Sequence, residues 1–437
     1  MLRRSNPWLF LLLIAHPLIA QEGQAVPDSL ARADSLARPD SLTPADSLAP
    51  PVSRPAPARA ALVEAGAPSG YDVSPHGYRG LDVGHLNRVD GWAPSVGLTL
   101  LPVRPNALPT LDITAGVRTN RLDEPWGRLA ASQIFAGLDR FQLAAEIYRD
   151  TRTPDGWKVG ARENDLWVFL TRTDLRNYYD AAGVRLAASS SDLRPWGLTL
   201  ALQSEHNESV DQDPFFTLTT LFGDDEDFRP NPSVLDGRVT SASLDARFVT
   251  ASSQSPALRV AGWNLGAGLE RAWQGLGGDV SFWRGTLHVR RYTRLAERHW
   301  LNARVYVTGP VLGTDDLPPQ RFTYLGGPGS LPGFDTLELA GDRGVLGTVE
   351  YTFQLPSTSW STPVFLLWQL EVFSNVGNAV DEGDRTRLYS DLHWDAGVGV
   401  SGVTVLGYLG LFLAQRLSDL DAPSSGPRVL FRLQRAF

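Results

Sequence analysis

A Gly- and Pro-rich stretch at residues 325–344 runs straight into a strict two-residue alternation. In the alternation Val349, Tyr351, Phe353 and Leu355 share one face, and Thr348, Glu350, Thr352 and Gln354 share the other. Successive side chains of an extended chain point to opposite sides, so this is the period of a half-buried β-strand. Its polar face carries a carboxylate. A strand of this kind needs partners with the same division of faces, and the chain supplies them. Phe141, Leu143, Ala145 and Ile147 alternate with Gln142, Ala144, Glu146 and Tyr148. Leu301, Ala303, Val305 and Val307 alternate with Asn302, Arg304, Tyr306 and Thr308. Trp283, Leu287 and Val289 alternate with Arg284, His288 and Arg290.

One face is apolar and the other holds charges of both signs. A soluble sandwich turns its apolar face inward, whereas a membrane barrel turns it to lipid and keeps charges in the lumen. Period alone does not separate the two. Three further features favour the barrel. Candidate strands number about 16 over residues 92–437, an even count at the spacing of tilted membrane-crossing strands. Connection lengths alternate. The longest, at 207–235, 309–343, 378–392 and 418–427, follow strands seven, eleven, thirteen and fifteen. Finally, the chain ends on Phe437, with Val429, Phe431 and Leu433 on the same face of the last strand. Residues 150–163 fit less well, because they read as a turn on the short-connection side and yet are long.

The chain of 437 residues has no cysteine. That excludes a disulfide scaffold, a lipidated cysteine and thiolate metal sites. The net charge of −8 does not suggest a nucleic-acid-binding surface. No apolar run after the N-terminus reaches helical membrane-spanning length, so a membrane crossing has to be made by strands.

Residues 1–20 read as a secretory signal, with Arg3 and Arg4 ahead of the apolar core Trp8 to Ala15. Residues 21–70 are rich in Ala, Pro, Asp and Ser, and Asp-Ser-Leu recurs at Asp28, Asp34, Asp40 and Asp46. A period of six gives no continuous helical seam, and the segment buries too little apolar surface to offset its chain entropy. It reads as a disordered periplasmic linker. Residues 71–91 read as a lead-in, and the barrel is expected over 92–437.

The loop-and-strand block resembles one family, the BamA/TamA-type outer-membrane barrels of the bacterial surface antigen family. There the inward-folding loop reads L-G-G-x-x-S-(V/L)-R-G-(F/Y), followed by G-D-R and by a strand containing E-Y-R-F. Leu325, Gly326, Gly327, Ser330, Leu331, Gly333 and Phe334 match, as do Gly341, Asp342, Arg343, Glu350, Tyr351 and Phe353. Pro332 stands where the family has its arginine. In the family that arginine pairs with the Glu of E-Y-R-F and with the Asp of F-x-D-x-G one strand later. Here the second motif reads Phe373-Ser374-Asn375-Val376-Gly377, with Asn375 in place of the Asp. Losing one member of a desolvated pair strands a charge at a cost on the order of 3–5 kcal/mol, while losing both can be nearly neutral. The expectation is a loop that still folds inward, held by packing and backbone bonds, with Arg343 or Arg304 as the new partner of Glu350. Asn87-Arg88-Val89-Asp90-Gly91 also resembles the N-R-V-E-G that opens such barrels. Phe431, Leu433 and Phe437 resemble the C-terminal signal read by the barrel assembly machinery.

Residues 207–236 hold Glu208, Asp211, Asp213, Asp224, Asp225, Glu226, Asp227 and Asp236 against Arg229 alone. No calcium-loop spacing is present, so this reads as a solvated loop, with Phe215, Phe216, Leu218, Leu221 and Phe222 suggesting that part of it packs. Enzyme signatures, metal-ligand spacings and cofactor fingerprints are absent, and none of the three is expected. The sequence therefore reads as an all-β chain: a single transmembrane antiparallel barrel with a disordered N-terminal linker, in the bacterial outer membrane. The resemblance implies insertion or translocation of polypeptides. It also implies outer-membrane lipid and lipopolysaccharide as surroundings, and the assembly machinery and polypeptide substrates as partners. A passive or gated pore, or a structural surface barrel, is the alternative.

Overall fold

The computed structural model describes residues 70–433, apart from 105–107, 136–140, 191–194, 224–226, 252–260, 312–315, 357–364, 382–385, 405–406 and 419–425. The signal and nearly all of the linker read from the sequence, and Phe437, lie outside the described residues. Among those residues, one antiparallel sheet dominates. Its first strand is β1, made of two segments, Tyr71–Pro75 and Leu81–Asn87, which pair with the same neighbour. β2 (Gly91–Pro102), β3 (Thr110–Gly116), β4 (Trp126–Phe135), β5 (Phe141–Arg152) and β6 (Tyr179–Ser190) follow. Next come β7 (Trp196–Glu208), β8 (Gly237–Val249), β9 (Gly262–Ala272), β10 (Phe282–Ala296) and β11 (His299–Pro310). β12 (Arg343–Gln354), β13 (Phe365–Val380), β14 (His393–Thr404), β15 (Gly407–Arg416) and β16 (Arg428–Arg432) complete it. Each strand pairs with the next in sequence, in antiparallel register, from β1 to β16.

Residues 71–91 are therefore part of the sheet rather than a lead-in. The break at 76–80 hides the strand from a period count. Gly77, Arg79 and Gly80 take positive φ there, and the chain makes a local excursion before resuming the same edge of β2.

The division of faces is inverted relative to a water-soluble protein. On β12, Glu350 is 3 % exposed and Thr352 fully buried, whereas Val349 is 51 % exposed. The same holds on β5, where Glu146 and Tyr148 are buried and Ile147 is 61 % exposed. It holds on β11 as well, where Asn302, Arg304, Tyr306 and Thr308 are buried and Val305 is exposed. Leu186, Leu202, Val372, Val398, Leu411 and Val429 extend the outward apolar band around the sheet. An apolar exterior around a polar interior is stable only where the outer solvent is hydrocarbon. Among the described residues no helix is long and apolar enough to cross a membrane.

The connections at one end are long and those at the other mostly short, so the loops gather at one mouth. The connection 153–178 belongs to the long-loop end, after β5, and is not a turn on the opposite side. It contains the helix α1 (Ala161–Thr171), whose residues Glu163, Asn164, Trp167, Val168 and Phe169 are buried. Phe215, Phe216, Leu218 and Phe228 of the acidic loop pack with Val168 and Phe169 of this helix, so that loop is anchored at the mouth by its apolar residues.

Candidate functional site: the inward loop and its seats

The loop between β11 and β12 enters at the β6–β9 side of the lumen. Arg321 donates to Glu270 on β9 at 3.1 Å, to Glu205 on β7 at 3.3 Å and to the Tyr179 hydroxyl on β6 at 3.2 Å. Thr323–Leu325 and Leu339–Gly341 then form a short ladder that pinches the loop base. Between them lies the tip, and Gly326, Gly327, Ser330, Leu331, Pro332, Gly333 and Phe334 are all buried. The sequence explains the local shape. Gly326 sits at φ 115°, where a Cβ would also meet the Asp335 carbonyl oxygen at 2.1 Å, so only glycine fits. Gly326 N–H donates to Ser330 Oγ at 3.0 Å, and Gly327 N–H to the Leu331 carbonyl at 2.9 Å. Leu325, Leu331 and Phe334 then pack with Trp157, Tyr306 and Leu346, and Trp157 stacks on Tyr306 at 4.0 Å.

On the far wall the tip finds a different kind of seat. Gly333 N–H donates to Asp395 Oδ2 on β14 at 2.8 Å, and Asn375 Nδ2 on β13 donates to Asp395 Oδ1 at 2.6 Å. Asn375 and Asp395 are direct cross-strand partners. The carboxylate missing at 375 is thus supplied one strand further on, and it receives a backbone N–H instead of a guanidinium. A Cβ on Gly333 would lie 2.7 Å from Arg416 N and 2.8 Å from Asp395 Cβ, so the backbone approaches this closely only because residue 333 has no side chain. Arg416 lies over the Phe334 ring at 3.9 Å and pairs with Glu338, while Arg428 pairs with Asp335. Pro332 itself closes a small pocket of about 40 Å³ lined by Glu350, Glu371, Asn375, Tyr408 and Arg432.

Neither partner expected for Glu350 takes that part. Arg343 turns to its neighbour Asp342 at 2.7 Å. Arg304 donates to the Gly329 carbonyl at 3.2 Å and to His288 Nε2 at 3.1 Å, holding the loop by its backbone. Glu350 accepts from Asn302 Nδ2 at 2.8 Å and from Thr352 Oγ1 at 3.0 Å. For Arg343 the reason is geometric: it lies at the loop end of β12, seven residues from Glu350, or about 24 Å along the strand at a rise of roughly 3.4 Å per residue.

Sequence reasoning missed two elements. One is Asp395, a lone acid ahead of a Gly-Val alternation, which only the register with Asn375 makes meaningful. The other is the segment 153–178. Lys158 Nζ bonds Asp155 Oδ1 and the Tyr324 carbonyl, both at 2.7 Å, and burial lowers its pKa. Asn87–Gly91, which resembled a barrel-opening motif, forms the β1–β2 turn beneath this segment. Its Arg88 is fully buried, with Nη2 donating to Asn177 at 3.1 Å and Asn231 at 2.8 Å and Nη1 3.5 Å from Asp174. Of the C-terminal residues, Val429 faces outward, but Phe431 stacks on Trp167 of α1 at 4.2 Å and is half-buried. Leu433 is half-buried beside it.

An inverted β-barrel whose longest connection folds back to plug its own lumen defines a class of integral outer-membrane proteins. Comparison with known proteins gives the family. The model of the Omp85 superfamily domain matches residues 168–423, and the chain belongs to that superfamily. Among solved structures it is similar to BamA from Haemophilus ducreyi lacking POTRA domains 1–3, with a TM-score of 0.55 and 13 % identity over 94 % of this chain and 83 % of that one. That likeness concerns the fold. CdiB from Escherichia coli aligns at 15 % identity over 84 % of this chain and 67 % of its own, with a TM-score of 0.45. No curated protein matches.

Proposed function

We propose that this protein inserts or translocates polypeptides at the bacterial outer membrane, with the β1–β16 seam as the working edge. The observation that carries the reading is the plugged lumen: the loop between β11 and β12 is seated on β7 and β9 through Arg321 and on β14 through Gly333, and its tip is buried. A loop seated on both walls leaves a client the β1–β16 seam, where the sheet begins and ends, rather than an open pore. In hydrocarbon, strand-edge N–H and C=O groups need partners, so a seam that parts offers its edge to an incoming strand. Outer-membrane lipid and lipopolysaccharide surround the apolar band, and the barrel assembly machinery inserts the chain itself.

The experiment is depletion. Removing the protein lowers the levels of other outer-membrane or surface polypeptides, measured by quantitative proteomics of the outer-membrane fraction. Unchanged levels, together with ion conductance of the purified protein in planar bilayers, would replace this reading with that of a pore.

A further inference from the structure

We infer that α1 is a clasp built across the seam: it holds β1 and β16 side by side, and it has to release β16 before the seam can open. This rests on the reading above, in that it assigns a control element to the same edge.

The contacts divide by helix face. Successive helical residues are turned by about 100°, so Glu163 and Trp167 lie on one side, while Asp165 and Phe169 lie about 200° away on the other. The first side holds the last strand. Glu163 pairs with Arg432 through its Nε, and Trp167 stacks on Phe431 at 4.2 Å with an interplanar angle of 8°. Val159, Trp167 and Leu175 form one apolar cluster with Leu430, Tyr408 and Phe412, so β15 is included in the grip. The second side holds the first strand. Leu86 N–H donates to Asp165 Oδ1 at 3.0 Å, and His85 Nδ1 lies 3.5 Å from Asp165 Oδ2. Val168 and Phe169 cluster with Leu86, and Trp92 of β2 packs against them.

A helix gripping β16 with one face and β1 with the opposite face lies between the two ends of the sheet. Its Asp165 carboxylate takes a strand-edge N–H that an adjacent strand would otherwise accept. The two grips also differ in kind. On β16 the helix uses a buried ion pair and a stacked ring, with Glu163 and Arg432 at 1 % and 5 % side-chain exposure. On β1 it uses one backbone bond, a histidine and apolar packing. The helix is in turn braced by the acidic loop, through Phe215 and Phe228, and the turn that leads into it is tied to the plug, through Lys158 and the Tyr324 carbonyl. Release therefore couples the mouth loops to the seam.

The test is hydrogen exchange by mass spectrometry on the full-length protein in nanodiscs, read at peptides covering 81–87 and 428–433. Glu163→Gln and Trp167→Ala are expected to speed exchange there by roughly tenfold or more and to leave β5–β9 unchanged. The charge swap Glu163→Arg with Arg432→Glu is expected to restore protection, which separates the clasp from a general loss of folding. Heat-modifiable gel migration confirms that each variant is a barrel. Unchanged exchange at 81–87 in the folded variants overturns the clasp, whatever the protein transports. The exchange readout needs no client. If the clasp variants respond while depletion leaves other surface proteins unchanged, the clasp stands and the insertion reading falls.

Discussion

The two walls of the lumen hold the same loop by opposite chemistries. On the β6–β9 side, Arg321 is buried against Glu205 and Glu270, so the loop base is pinned by full charges. On the β13–β14 side, the tip is pinned by a glycine N–H on Asp395 with Asn375 beside it, and no arginine of the tip takes part. The comparison teaches where a fold can be edited. A buried ion pair tolerates simultaneous loss of both members far better than loss of one. On the far wall Pro332 and Asn375 stand where the resemblance places an arginine and an aspartate, and the tip is held instead by a backbone N–H on the Asp395 carboxylate. The near wall has both members of each ion pair in place.

The largest expected effect comes from breaking the charged side. Arg321→Met leaves Glu205 and Glu270 facing a buried apolar group and should cost on the order of 3–5 kcal/mol, measured as a lowered urea midpoint for heat-modifiable migration. Gly333→Ala comes next, because its Cβ would collide with Arg416 N and Asp395. The tip should leave its seat, and proteolysis near residues 325–340 should rise while the barrel stays folded. Asp395→Asn should cost less, about 1–3 kcal/mol, since one buried donor loses its acceptor. Adding Asn375→Asp moves the carboxylate back to β13 and should recover part of that loss in the same proteolysis assay. No recovery would mean that the position of the carboxylate, and not its charge, holds the tip.

Much of this was readable in the sequence, and the failures have physical causes. The inverted barrel is legible because a two-residue period with charges of both signs on one face has few stable outcomes. The inward loop is legible through the resemblance that Gly326, Gly327, Ser330 and Phe334 carry, and the structure gives Gly326 and Ser330 backbone roles and Phe334 a packing one. β1 was missed because the excursion at 76–80 breaks the period. The helix was missed because Ala161–Thr171 is a short run, ARENDLWVFLT, flanked by turns, with no continuous apolar stripe. It is helical because the strands at the seam and the acidic loop bury it.

By itself, then, the sequence determined the strand period, the sign of each face and the turn chemistry of the loop, all of which depend on residues close together in the chain. Only the tertiary structure decided which carboxylate receives Gly333, that Arg343 and Arg304 serve other partners than Glu350, and that one helix touches both ends of the sheet. Those outcomes depend on register and closure, which bring residues 163 and 432, or 333 and 395, into contact through pairings that no local pattern encodes.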